Sequence, residues 1–98
     1  MKFNLNMSNE KQRGLMLSEL KKYFKNITLK NNLSISVSTV DNSFYIIELL
    51  KGDKPLVKYQ DVIVDNKFRN LRFNFVKLQN FIDANYLFEK YEKPSIKH

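Results

Sequence analysis

Ser43–Leu50, SFYIIELL, is the most continuously apolar stretch of the chain. It is too short for a core helix, and aromatic and branched residues dominate it, so it reads as a strand. Apolar side chains fall at both parities. Phe44, Ile46 and Leu50 point one way, Tyr45, Ile47 and Leu49 the other, and only Glu48 interrupts. A strand with two apolar faces belongs in the middle of a sheet.

Working outward, Leu33, Ile35 and Val37 alternate with Ser34, Ser36 and Ser38, and Asp41-Asn42-Ser43 is turn chemistry. Residues 33–50 therefore read as a β-hairpin. Lys51–Pro55 is a second turn, leading to a third strand over 56–64. Asp65-Asn66-Lys67 is a third turn. Leu71, Phe73 and Phe75 alternate with Asn70, Arg72 and Asn74, which predicts a fourth strand over 68–75. Before the hairpin, Met16, Leu17, Leu20, Tyr23, Phe24 and Ile27 recur at helical spacing, with Ser8 or Asn9 as N-cap and Glu10 in the first turn. This predicts a helix over 9–25, in which Gly14 has no evident purpose. Leu78, Phe81, Ile82 and Tyr86 predict a second helix over 76–91, stopped by Pro94. The expected fold is a single small α+β domain over residues 1–98: N-terminal helix, four-stranded antiparallel meander and C-terminal helix in two layers. Residues 1–8 and 93–98 are expected to be flexible ends.

The 98 residues suit one domain with a modest core. Cysteine is absent, residues 1–6 are too short and polar for a signal peptide, and no apolar run reaches membrane-spanning length. A soluble, cytoplasmic protein is expected. The net charge is +7. Residues 1–40 carry +5, residues 41–66 carry −2 and residues 67–98 carry +4. Such a chain suits nucleic acid or an acidic protein surface, not a membrane. Fourteen of the seventeen basic residues are Lys, and Asn occurs twelve times. AT-rich coding produces that mix too, so base composition is a competing source of the charge.

Catalysis is not expected. The only His is His98, no Cys exists, and Asp61 and Asp65 are best read as solvated strand-end charges. Two glycines cannot build a phosphate loop. No metal or cofactor is expected. A metal-free ribonuclease relying on Lys, Arg and Tyr is a third possibility that nothing marks.

Candidate contacts lie elsewhere. One is the polar sheet face, where Ser34, Ser36 and Ser38 would join Asn70, Arg72 and Asn74, with Lys58 and Gln60. Such groups touch phosphates without demanding sequence. Another is the basic face of the first helix, from Lys11 and Arg13 to Lys21, Lys22 and Lys25. Arg69 and Arg72 stand out because Arg is scarce, and its planar fork matches phosphate. Phe44 or Tyr59 would stack on bases. Phe44 and Ile46 would be exposed if Tyr45, Ile47 and Leu49 face the helices, leaving an apolar patch for a partner, for a dimer, or for Phe3 and Leu5 to fold over.

Residues 33–86, with YIIELL, a basic third strand and LRFNF running into VKLQNFID, resemble in order the single-stranded-DNA-binding transcriptional positive cofactor four family. That family's glycine-containing basic β-ridge motifs are missing, and a leading helix is added. The helix–strands–helix order is also similar to double-stranded-RNA-binding domains, without their basic motif at the last helix, where only Lys77 lies. The resemblances imply an order of elements and transfer no residue roles.

The expectation is thus a non-enzymatic nucleic-acid-binding module, possible as a homodimer, using Arg13, Lys21, Lys22, Lys25, Lys58, Arg69 and Arg72 on phosphates, with Phe44, Ile46 and Tyr59 as stacking or partner contacts. The alternative is a protein–protein interaction protein, of the phage or mobile-element inhibitor type, acting on a larger enzyme.

Overall fold

The computed structural model describes residues 2–91. The expected tail 93–98, with His98, lies outside the described residues. In chain order the elements are β1 (Phe3–Asn6), α1 (Glu10–Tyr23), β2 (Ile27–Leu29), β3 (Leu33–Val40), β4 (Phe44–Lys51), β5 (Lys54–Val64), β6 (Lys67–Phe68), α2 (Leu71–Ala84) and β7 (Phe88–Tyr91). A curled five-stranded sheet runs β1-β3-β4-β5-β6, and β2 pairs with β7 in a second, two-stranded sheet.

The central hairpin and third strand lie where the apolar pattern puts them, with β4 between β3 and β5. The meander framed by terminal helices is overturned. Phe3–Asn6, inside the segment expected as a flexible end, pairs in parallel with β3 and makes the sheet mixed. Parallel neighbours need a crossover, and α1 supplies it. The fourth strand shrinks to Lys67–Phe68, and LRFNF is the first turn and a half of α2. The second helix therefore spans 71–84 and not 76–91, and β7 occupies its expected last turn. The likeness in element order to the positive cofactor four family ends at this point.

The early helix start has a cause in β4 and β5. Val64 faces Lys67 and Ile63 faces Phe68, so a continuing ladder would set Val62 against Arg69. Half of that rung exists, with Arg69 N–H donating to the Val62 carbonyl at 3.1 Å. The other half is taken away by two side chains. The Tyr45 hydroxyl donates to the Arg69 carbonyl, and the Asp61 carboxylate accepts the Val62 N–H at 2.7 Å. Asn70 then adopts φ 55°, a left-handed conformation that Asn tolerates, and the chain turns into α2. Phe75, Leu78 and Ile82 now fall at helical spacing on the buried side, while Phe73, which shares a face with Phe75 in the strand reading, is 60% exposed.

The register sorts the sheet into two faces. The inner rows are Phe3–Ile35–Leu49–Val57, Leu5–Val37–Ile47–Tyr59 and Thr39–Tyr45–Asp61. Both helices cover this face. Met16, Leu20 and Phe24 from the α1 stripe and Phe75, Leu78 and Ile82 from α2 join Ile35, Val37, Tyr45, Ile47 and Leu49 in one core. Tyr23, Phe24 and Phe75 stack where the helices meet, with ring centroids 4.7–5.6 Å apart. The stripe's first position is Gln12, a buried amide whose two polar atoms lack partners among the described residues.

α1 is capped as its sequence requires, with the Asn9 side chain accepting from the N–H groups of Lys11 and Gln12. Gly14 has no neighbour within 4 Å of where a Cβ would sit. Gly14→Ala should therefore stabilise the protein by about 1 kcal/mol, the helix-propensity difference alone, in chemical denaturation. Tyr45→Phe strands the Arg69 carbonyl and the Asn74 amide, and should cost about 1–3 kcal/mol in the same measurement.

Candidate nucleic-acid interface

The structure divides the expected contact residues between two surfaces. On the helical layer, Lys21 and Lys22 close the last turn of α1 and Lys25 follows it, all exposed. Arg72, in the first turn of α2, lies with its guanidinium carbon 5.9 Å from the Tyr23 ring centroid. Tyr23 ends α1 and packs on Phe75 of α2. This is where the basic N-terminal and C-terminal parts of the chain meet, at the α1 end and the α2 start. Arg69 stands three residues before Arg72, exposed, in the turn into α2. Lys21 and Lys25 also edge a shallow hollow with Phe3, Phe24 and Ile27.

Arg13 is apart from this group. It lies in the first part of α1, about two turns from Lys21, and its Nη2 donates to the Met7 carbonyl. Lys77 reaches the Phe73 ring, 4.6 Å from its centroid, further along α2.

Asn70, Arg72 and Asn74 do not share a sheet face with the serines, because they belong to α2 and the turn before it. Asn74 is buried, and its amide donates to the Tyr45 hydroxyl at 2.9 Å. Tyr59 lies on the inner face, not beside Phe44. Its hydroxyl donates to the Lys77 carbonyl at 3.2 Å, and burial pushes its pKa up. Burial also raises Tyr45, against the lowering effect of the Asn74 bond.

The outer face carries the rest: Asn4–Ser36–Glu48–Lys58, Asn6–Ser38–Ile46–Gln60 and Val40–Phe44–Val62. Its chemistry is mixed. Asn4 donates to Ser34 at 3.2 Å along the β1–β3 side, and apolar residues gather on β4 and β5. Glu48 and Lys58 are the only charges in these rows, opposite in sign and directly opposed across strands. Phe44 and Ile46 are half-buried, while Val62 is 48% exposed. Phe3 and Leu5 do not cover this face, since they pair at the β1 edge with their side chains on the inner side.

Among the described residues no cluster of acids and histidines is arranged to hold a metal ion, and no helix is long and apolar enough to cross a membrane. Comparison of the chain with protein-family models, with curated proteins and with solved structures finds no match.

Asp61 is an electrostatic anchor of the turn before α2. The Asn70 amide donates to it at 2.9 Å. That bond, the Val62 N–H and the nearby Arg69 charge hold its carboxyl below the ordinary value of 3.8. A depressed folded-state pKa gives stability that is present above the unfolded value and lost as pH falls through the folded one. Acid unfolding should therefore include a component below about pH 4 that Asp61→Asn removes. Unfolding midpoints of the two proteins, followed from pH 7 to pH 2, would converge at the acid end.

Proposed function

We propose that the protein is a small, non-enzymatic nucleic-acid-binding module that contacts phosphates with its helical layer. The observation that carries this reading is the placement of Arg72 over Tyr23, which unites the two basic segments on one side of the molecule. Lys21, Lys22 and Lys25 then lie beside one arm of the junction and Arg69 and Arg72 beside the other. Five cations on the helical layer suit a phosphate backbone, and the two guanidinium groups add forked donors that lysine lacks. Base stacking by Phe44 has no part in it, because Phe44 is on the opposite face of the sheet. The contact is sequence-independent and weakens with salt as counterions are released.

A second reading, a protein-interaction module of the inhibitor type, is supported by the partly exposed Val40–Phe44–Val62 row and Ile46 beside it. Apolar surface of this kind commonly meets a protein partner.

The two readings separate in one titration. Fluorescent single-stranded and duplex oligonucleotides are followed by anisotropy across a salt series, with the wild type, Arg69→Ala/Arg72→Ala and Phe44→Ser/Ile46→Ser. The helical-layer reading expects the arginine variant to bind more weakly, with its salt slope lowered by about 2, and the sheet-face variant to bind as wild type. No binding at low salt, or loss only in the sheet-face variant, overturns it.

A further inference from the structure

At the far end of α2 from Arg72, a hollow of about 450 Å³ opens between the helix end, the loop after β2 and the β4–β5 hairpin. That is within the range that small ligands fill. Its floor is apolar: Leu33, Leu56, Phe81 and Leu87. Its charged lining is Lys30 and Lys51, and its remaining members are the neutral amides Asn31 and Asn85. No acid is among them.

The walls are fixed by backbone bonds. α2 ends in a left-handed turn at Tyr86 (φ 52°), with Tyr86 N–H donating to Asp83 and Leu87 N–H to Ile82. This brings Leu87 back under the helix. Lys30 N–H then donates to the Leu87 carbonyl at 3.0 Å, and Gly52 N–H to the Asn32 carbonyl at 2.8 Å, tying both loops to the site. The opening also has a cause in the sheet. Leu49 faces Val57 and Leu50 faces Pro55, so Leu56 is bulged out of the β4–β5 ladder. A bulge re-aims its side chain, and Leu56, 38% exposed, lines the hollow. Just beyond, the register sets Lys51 directly against Lys54. Like charges opposed across strands are unfavourable, and an anion held at Lys51 relieves them.

We propose that this hollow binds a single-chain apolar anion, an acyl chain ending in a carboxylate or phosphate. The chain lies on Leu33, Leu56, Phe81 and Leu87, and the head group sits between Lys30 and Lys51. This site is separate from the basic α1–α2 junction and uses none of its residues.

The test is calorimetric titration of the full chain with dodecanoate and with monododecyl phosphate, each below its micelle concentration. Decanoate, dodecanol and dodecyltrimethylammonium serve as comparisons. Saturable one-to-one binding of either anion is expected, and the stronger one names the head group. Shortening by two carbons should weaken it by roughly fifteenfold, as the loss of two buried methylenes requires. The alcohol and the cation should bind at least about tenfold more weakly, the factor expected for losing a charge-assisted contact. Lys30→Glu/Lys51→Glu, checked for folding by circular dichroism, should lose the anion and leave any weak alcohol binding in place. The inference is overturned if neither anion saturates the protein, if alcohol or cation matches the anions, or if the folded double variant binds them as well as wild type. The ligand comparisons are made on the wild-type chain and decide the matter even if the variant fails to fold.

Discussion

A single phenolic hydroxyl on the central strand decides where the second half of this chain goes. Tyr45 is fully buried, so its hydroxyl must find partners inside the protein. It finds two, the Arg69 carbonyl and the Asn74 amide, both beyond the end of the sheet. Satisfying Tyr45 withdraws that carbonyl from the β5–β6 ladder, and Asp61, its neighbour across the strand, withdraws the matching Val62 N–H. With both halves of the return bond gone, the hairpin stops and a helix starts. α2 then lies across the inner face, Phe75 meets Tyr23 and Phe24, and Arg72 is delivered to the end of α1. The basic junction is thus a consequence of how one core residue is hydrogen-bonded.

This explains which parts of the fold were legible. The Ser43–Leu50 run carries its position in its composition, and the serine alternation before it marks an inner and an outer face that the register reproduces. The Asn9 cap and the four-residue spacing of Met16, Leu20 and Phe24 likewise place α1. The stretch from Arg69 to Phe75 misleads because its apolar residues satisfy both periods: Leu71, Phe73 and Phe75 alternate, and Leu71, Phe75, Leu78 and Ile82 make a helical stripe. Local pattern cannot arbitrate when the deciding contact comes from Tyr45, 24 residues away. β1 alternates correctly, but four residues give too little pattern, and its partner is the strand beyond α1. Of the site, the meeting of the two basic ends was legible only as a condition on the fold. Tyr59 and Phe44 were assigned together as aromatics, yet their odd separation in paired strands puts them on opposite faces. The hollow beneath α2 draws residues from three separated segments and left no local signal.

The asparagine content acquires a structural sense as well. Apart from Gly52, the described residues with positive φ are Asn32, Asp41, Asn42, Asp65, Asn66, Asn70 and Tyr86. Both residues of the Asp41-Asn42 and Asp65-Asn66 turns are left-handed, the conformation that tight hairpins require. In a chain with two glycines, Asn and Asp take the left-handed positions because their short polar side chains tolerate them best. Asn9 caps α1, Asn85 caps the last turn of α2 through its bond to Phe81, and Asn74 serves the core. AT-rich coding can supply asparagine, but these positions also select it.

The same separation of local from long-range causes applies to the charges. Lys21 and Lys22 sit in the last turn of α1, where the helix dipole favours cations. Helix stability accounts for them without a ligand. Arg72 is the opposite case. It occupies the first turn of α2, where a cation is disfavoured, and that turn contains no acid. The helix also begins without a side-chain cap, since Asn70 makes no such bond. A neutral or acidic residue there would serve α2 better. The face of Tyr23 offsets part of the cost, and an aliphatic residue could cover that ring as well. Helix formation and packing therefore explain the lysines at this junction more readily than they explain the arginine, and an anion at the α1–α2 junction is the partner that would make its charge favourable.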